Sequence, residues 1–283
     1  MSDIKIVMTD MDGTYMENSF KVVEENLKAT RALAERGIPV CAVTARNLGL
    51  VRRMLHLGEL ETYCVNNNGC SVHNVQTGES LWSNPIPEKW VVAAVKACER
   101  IKDTGIQVEL HTGERSIDYG PLKTRPSHAD VENEKTEQAY RCPTVVAESL
   151  DHALELAQGK IELIRVFDYQ EKPGLPGSFY RDLIMGGEFM LTSSNEIVLE
   201  IMAAGSSKRN GAEQLAKALG IRREEVMCLG DGANDIGMIN WAGVGVAMGN
   251  ASDEVKAAAD YVSCDFKQGG VARAVEKFIL NKF

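Results

Sequence analysis

Three short apolar runs, Ile4–Thr9, Ile38–Val43 and Val226–Leu229, each stop abruptly at a polar turn, and this restricts the fold more than any other feature of the chain. Runs of four to six apolar residues have strand length and are too short for ordinary helices. Helical spacing fills the intervals. Val23, Leu27, Thr30 and Ala34 recur before Gly37, which stands where a C-terminal cap belongs, and a second helix is expected over Leu48 to Leu57, ahead of a strand at Tyr63–Val65. The last 80 residues repeat the rhythm: a helix from Ala212 to Leu219 ending at Gly220, the Val226 strand, strands at Val244–Val246 and Tyr261–Val262, and a final helix over Val271 to Leu280. Apolar strands separated by helices predict a parallel sheet covered on both faces.

The middle of the chain departs from this pattern. It carries prolines, a polar stretch from Asp130 to Gln138 and a Pro/Gly-rich loop from Lys172 to Gly177. Helical runs at Trp90 to Ile101 and Ser149 to Ala157 alternate with strand-like runs at Gln107–Leu110 and Glu162–Phe167. The reading is an α/β protein: a Rossmann-like, doubly wound parallel core over 1–83 and 189–283, with an inserted α/β cap over 84–188 and hinges near Ser83–Pro85 and Gly186–Gly187. A length of 283 residues suits a core carrying one insertion.

A net charge of −9 opposes broad attraction to nucleic acid or to an anionic membrane. The same repulsion acts on any phosphorylated ligand, so an anion site must supply its own local positive charge. The seven cysteines, Cys41, Cys64, Cys70, Cys98, Cys142, Cys228 and Cys264, form no C-x-x-C pair and read as small buried hydrophobes in a reducing compartment. The start, MSDIKIVMTD, has no basic and apolar signal pattern, and no apolar run reaches the roughly 18 residues of a membrane span. A cytoplasmic protein is expected, a monomer or homodimer. The five histidines show no metal-ligand spacing.

The chemistry concentrates at the strand ends. Asp10-Met-Asp12-Gly13-Thr14 follows the first run, Thr44-Ala45-Arg46 the second, and Gly230-Asp231-Gly232-Ala-Asn234-Asp235 the Val226 run; Lys208 precedes the Ala212 helix. In an open parallel sheet, ligands bind beyond the carboxyl ends of the strands, where the winding reverses. Neighbouring strands would there bring Asp10, Asp12, Thr44 and Asp231 to one point. Close carboxylates repel by about 4 kcal/mol per pair at 4 Å and an effective dielectric of 20. A divalent cation relieves that repulsion, and all-oxygen ligands suit Mg²⁺. With Lys208 and the Thr44 hydroxyl, such a site can hold a tetrahedral dianion. One carboxylate can then attack phosphorus while another, two residues away, protonates the leaving oxygen and later activates water. Gly13 permits the tight backbone path.

These motifs resemble, in order and spacing, the four motifs of the haloacid dehalogenase superfamily. The stretch AGVGVAMGNASDEVKAAADYV is similar to the end of the core in its Cof-type hydrolases, and the insertion corresponds in place and length to the large α/β cap of that group. The resemblance implies that Asp10 is an aspartyl nucleophile and a Mg²⁺ ligand. It implies that Asp12 is the general acid/base, with its backbone carbonyl on the metal. Thr44 and Lys208 match a phosphate-holding pair, and Asp231 matches the second carboxylate ligand. Asn234 matches a phosphate-contacting position, Asp235 a supporting one, and Asn68 with Gly69 a loop lining the pocket, with Ala45 beside it. Two departures bear on loop shape: Thr44 is followed by Ala45 where glycine is frequent, and Lys208 by Arg209. The implied activity is hydrolysis of a small phosphorylated metabolite, a sugar phosphate first among them. A phosphomutase of the same core and cap is the alternative, and a non-catalytic ligand-binding module a third reading.

Overall fold

The computed structural model describes residues 3–18, 21–52, 63–101, 103, 105–119, 144–168, 174–195 and 198–280. In chain order the strands are β1 (Ile6–Thr9), β2 (Met16–Asn18), β3 (Lys21–Val22), β4 (Val40–Val43), β5 (Tyr63–Asn66), β6 (Ser71–Asn74) and β7 (Ser80–Ser83). There follow β8 (Gln107–His111), β9 (Ser116–Tyr119), β10 (Thr144–Ala147), β11 (Leu163–Phe167), β12 (Phe189–Asn195) and β13 (Val198–Ala203). The chain finishes with β14 (Val226–Gly230), β15 (Val244–Ala247) and β16 (Tyr261–Val262). It divides into two compact units, Met1–Trp82 with Ser207–Phe283, and Ser83–Ser206.

The first unit is an eight-stranded sheet in the order β16-β15-β14-β1-β4-β5-β6-β7. From β16 to β5 the neighbours are parallel, and β6 turns back antiparallel along β5. Strands β1, β4, β14 and β15 are buried along their whole length, which is why each reads as an unbroken apolar run rather than an alternating one. From β1 the chain winds outward through β4 and β5; from β14 it winds the other way through β15 and β16. The reversal falls between β1 and β14, whose registers pair Ile6 with Val226 and Thr9 with Leu229. Asp10 and Asp231 therefore leave adjacent strands at the switch point.

The first helix spans Glu24–Ala34, with acidic residues in its first turn and Gly37 beyond its end at φ 69°. Its buried stripe is Asn26, Ala29, Thr30 and Leu33, and Ala34 faces outward. The apolar spacing missed this because the stripe contains an asparagine. Asn26 is buried because its amide donates to the Tyr15 carbonyl and accepts from the Ala272 N–H. The next expected helix begins at 48–52, and its remainder to Leu57 lies outside the described residues.

The second unit is a six-stranded sheet in the order β10-β9-β8-β11-β13-β12, antiparallel throughout except for β9 and β10. Helices Glu88–Glu99, Leu150–Ala157 and Gly177–Gly186 supply its apolar core together with Val108, Leu110, Ile117, Ile164, Val166 and Ile201. One boundary is corrected here. The return to the core was expected near Gly186–Gly187, but β12 and β13 pair with each other and β13 with β11, so the unit continues to Ser206. The polar stretch from Asp130 to Gln138 and the first two residues of the Lys172–Gly177 loop lie outside the described residues. Five of the cysteines are buried thiols and Cys264 is half-buried; Cys142 lies outside the described residues. Among the described residues no helix is long and apolar enough to cross a membrane.

Candidate active site

Three strand ends and one helix start build the site. Asp10 follows β1, its N–H donating to the Leu229 carbonyl across the switch point at 2.9 Å. Lys208 opens the helix Lys208–Ala218, whose cap Ser207 accepts from the Asn210 N–H. A lysine in a first helical turn opposes the macrodipole, so its position needs partners. It has two: the ammonium donates to Asp10 Oδ1 at 2.6 Å and to Asp235 Oδ1 at 2.7 Å, with all three residues buried.

The helix start is held in place by the turn after β5. Asn67 and Asn68 adopt φ of 49° and 55°, and Gly69 one of 89°. A β-carbon at Gly69 would stand 1.9 Å from the Ser207 carbonyl oxygen, so only glycine lets this turn meet the Lys208 helix. Gly13 plays the matching part on the other side, with φ of 78° and its missing β-carbon 2.6 Å from Asp231 Oδ2.

The carboxylates fall into a cluster. Asp10, Asp231 and Asp235 each bring one oxygen within 4.8 Å of the others. Asp231 accepts from the Thr14 hydroxyl at 2.6 Å and from the Asn250 amide at 3.1 Å. Asp235 turns its other oxygen to the N–H groups of Asp231 and Gly232, at 3.1 and 2.9 Å, which fixes the whole turn. Burial pushes the Asp10 carboxyl up to about 8; Lys208 works against that, and Asp235 and Asp12 add to it. Burial likewise raises Asp231, with Asp235 and Asp12 adding and Thr14 and Lys208 opposing. Burial alone would lower Lys208, but Asp10 and Asp235 outweigh it and hold the ammonium above its usual range. A three-carboxylate, all-oxygen donor set in which burial holds Asp10 and Asp231 against ionisation fits a hard divalent cation.

Asp12 stands apart from that cluster. Its exposed carboxylate accepts from Arg46 Nε at 3.0 Å and Nη2 at 2.6 Å. The Arg46 N–H donates to the Thr44 hydroxyl at 3.2 Å, so one residue ties the β1 turn to the β4 turn, with Ala45 half-buried between. The Thr44 carbonyl accepts from the Asn68 N–H at 3.0 Å, and Asn68 Oδ1 accepts from the Asn234 amide at 3.1 Å.

The expected residues thus fall into two sets. Asp10, Asp231, Asp235 and Lys208 meet directly, beside Gly13; Asp12, Thr44, Ala45, Asn68 and Asn234 form a linked rim. Asp10 and Asp231 of the expected metal group lie in the carboxylate cluster with Asp235, and Asp12 was expected to contribute its backbone carbonyl, not its side chain. Thr14, Arg46 and Asn250 were not assigned a part. Asn250 also donates to the Gly13 carbonyl at 3.0 Å, and its signal was positional: it follows β15 much as Asp10 follows β1.

Residues 7–275 match the model of the haloacid dehalogenase-like hydrolases. The chain belongs to that family. The Bacillus subtilis protein YxeH is 30% identical over 98% of this chain and 99% of its own length. A second Bacillus subtilis protein, the 5-amino-6-(5-phospho-D-ribitylamino)uracil phosphatase YcsE, is 26% identical over 98% of this chain and 97% of its own. A solved haloacid dehalogenase-like hydrolase from the same organism superposes with a TM-score of 0.80 at 25% identity, covering 98% of this chain and all of the other. The match runs through both units, and the mixed sheet belongs to the α/β fold of that family.

Proposed function

We propose that this hydrolase is a Mg²⁺-dependent phosphatase that takes phosphate from small phosphomonoesters through an aspartyl-phosphate on Asp10. The observation that carries the reading is Asp10 itself, buried at the switch point between the Lys208 ammonium and the Asp231–Asp235 turn. YcsE, a phosphatase by name, is similar along nearly the whole chain and supports the same reading.

Asp10, Asp231 and the Asp12 backbone carbonyl would hold the cation, with Asp235 behind them. When bound, the cation supplies positive charge that favours an ionised Asp10 and offsets the charge of the phosphoryl group. Asp10 then attacks phosphorus, and the leaving oxygen takes the Asp12 proton. Lys208 and the Thr44 hydroxyl hold the phosphoryl oxygens, and Asn234 adds an amide donor. Water next attacks the aspartyl-phosphate while Asp12 takes its proton, which returns Asp10 and releases phosphate. Arg46 aims the Asp12 carboxyl through both steps. The inserted unit is assigned the choice among organic leaving groups, with sugar phosphates the leading class.

The test is phosphate release from a panel of sugar phosphates, nucleotides and an aryl phosphate, with Mg²⁺, with EDTA and with Asp10→Asn. Mg²⁺-dependent release abolished by the substitution is expected. Release that survives Asp10→Asn would overturn the nucleophile.

A further inference from the structure

Asn250 lies three residues past β15, the strand next to the one that delivers Asp231. Strands β14 and β15 run parallel, with Gly230 paired to Ala247, and the contact continues beyond them, where the Met248 N–H donates to the Gly230 carbonyl at 3.0 Å. An asparagine is thereby brought to the flank of the carboxylate cluster, at the same end of the same sheet.

An asparagine side chain offers two amide hydrogens and one carbonyl. Here the amide donates to Asp231 Oδ2 at 3.1 Å and to the Gly13 carbonyl at 3.0 Å, while Oδ1 accepts from the Phe266 N–H at 3.2 Å. The residue is exposed, and water can satisfy an exposed amide at no cost to the fold. Three separate segments of the chain meet on this side chain instead. The Phe266 bond anchors it and leaves both hydrogens aimed at the site. Gly249 lets the anchor close, since a β-carbon there would stand 2.6 Å from the Asp265 nitrogen.

The two donor bonds fall on the two segments assigned to the cation. Asp231 Oδ1 accepts from the Thr14 hydroxyl at 2.6 Å and Oδ2 from Asn250, so the carboxylate cannot turn about its Cβ–Cγ bond without losing both. Each oxygen keeps a lone pair for a metal. The Gly13 carbonyl is the next along the chain from that of Asp12, so holding it steadies the backbone that presents the Asp12 carbonyl. A lysine or arginine at this place would neutralise Asp231 and compete with a cation; a neutral amide orients the ligand and leaves its charge unspent.

We propose that Asn250 is a positioning residue that fixes Asp231 and the Gly13 peptide for a small, strictly coordinated cation, and so sets a preference for Mg²⁺ over Ca²⁺. The inference rests on the metal assignment made for the proposed phosphatase. Mg²⁺ demands near-octahedral ligands at about 2.0–2.1 Å, whereas Ca²⁺ accepts a looser set at about 2.3–2.6 Å. Rigidity in the ligands therefore favours Mg²⁺, and freeing Asp231 should harm Mg²⁺ binding more than Ca²⁺ binding.

The experiment is calorimetric titration of the metal-stripped full chain with MgCl₂ and with CaCl₂, in the wild type, Asn250→Ala and Asn250→Ser, alongside thermal melts in EDTA. Asn250→Ala should weaken Mg²⁺ binding by about tenfold or more, the usual worth of a residue behind a metal ligand. Ca²⁺ binding should weaken far less, so that the ratio of the two affinities narrows. Asn250→Ser, whose hydroxyl can still donate one bond, should fall between, and it carries the same comparison if the alanine variant does not fold. Melting in EDTA should stay close to that of the wild type. Unchanged Mg²⁺ binding, or equal losses for both cations, would overturn the inference, as would a lower melting temperature with the wild-type affinity ratio, the mark of a residue that only holds its loop. The titration needs no substrate, so the result stands apart from which phosphate ester is cleaved. A wild type that binds neither cation would instead overturn the metal assignment itself, and this inference with it.

Discussion

Arg46 grips Asp12 with two guanidinium nitrogens, at 3.0 and 2.6 Å, while its own N–H donates to the Thr44 hydroxyl. Asp12 is otherwise an exposed carboxylate on a turn, free to rotate away from a leaving oxygen. The two-pronged contact restricts it, and such a fork is a geometry that lysine cannot reproduce. Asp12→Ala should cost about 10²–10⁴ in kcat with alkyl phosphates, the usual worth of general acid–base catalysis. In kcat/KM, which ends at formation of the aspartyl-phosphate, it should cost far less with an aryl phosphate, whose leaving oxygen needs no proton, while the shared hydrolysis step lowers kcat for both. Arg46→Ala should show the same dependence on leaving group at smaller size, with Arg46→Lys between it and the wild type. Equal losses in kcat/KM for alkyl and aryl substrates would assign Arg46 to binding instead.

Gly13 has φ of 78°, and a β-carbon there would lie 2.6 Å from Asp231 Oδ2. Gly13→Ala must strain the turn, by about 1 kcal/mol or more, and displace the Asp231 carboxylate from Thr14 and Asn250. The expected result is a protein that still melts cooperatively but loses about 10–100-fold in metal-stimulated phosphate release, as follows from a small misplacement of a catalytic group. Thermal melts and rates measured on one preparation check both halves.

The core was legible because its strands are buried on both faces, so that Val40–Val43 and Val226–Gly230 are unbroken apolar runs ending on polar turns. Asp10, Asp231, Asp235 and Lys208 could be found for the same reason: each stands at an element end, where a charged residue is conspicuous. The end of the inserted unit was not legible. Leu199 and Ile201 flank a wholly buried Glu200 in β13, and local sequence does not say which sheet that strand joins. Only its pairing with β11 answers that. Arg46 and Asn250 escaped because an arginine or asparagine in a turn is ordinary, and their meaning lies in Asp12 and Asp231, which are distant in sequence.

Lys208 is buried against two carboxylates, and removing it would strand them. Lys208→Met should destabilise the protein by about 3–5 kcal/mol in EDTA, the usual cost of breaking a buried ion pair on one side. Urea denaturation of both proteins measures this. Saturating Mg²⁺ at a hundred times its Kd should stabilise the wild type by about 2.7 kcal/mol, and Asp231→Asn should remove most of that gain. A variant as stable as the wild type in EDTA would mean that the pair contributes nothing net to folding.

His111 gives the inserted unit a pH dependence of its own. Burial and, after it, Arg165 depress its imidazole to about 3, with Glu200 and Glu162 only partly opposing them. Unfolded, the ring returns to an ordinary value near 6.5. Below that pH the unfolded chain binds a proton that the folded one refuses, so stability contributed above pH 6.5 is lost progressively as pH falls toward 3. His111→Gln cannot take that proton in either state. In urea titrations between pH 7 and 4, the wild type should therefore lose stability more steeply than the variant. Parallel slopes would mean that the folded imidazole accepts its proton within the sheet, where Glu109 Oε2 lies 3.1 Å from Nε2 and would gain a charged donor in place of a neutral one.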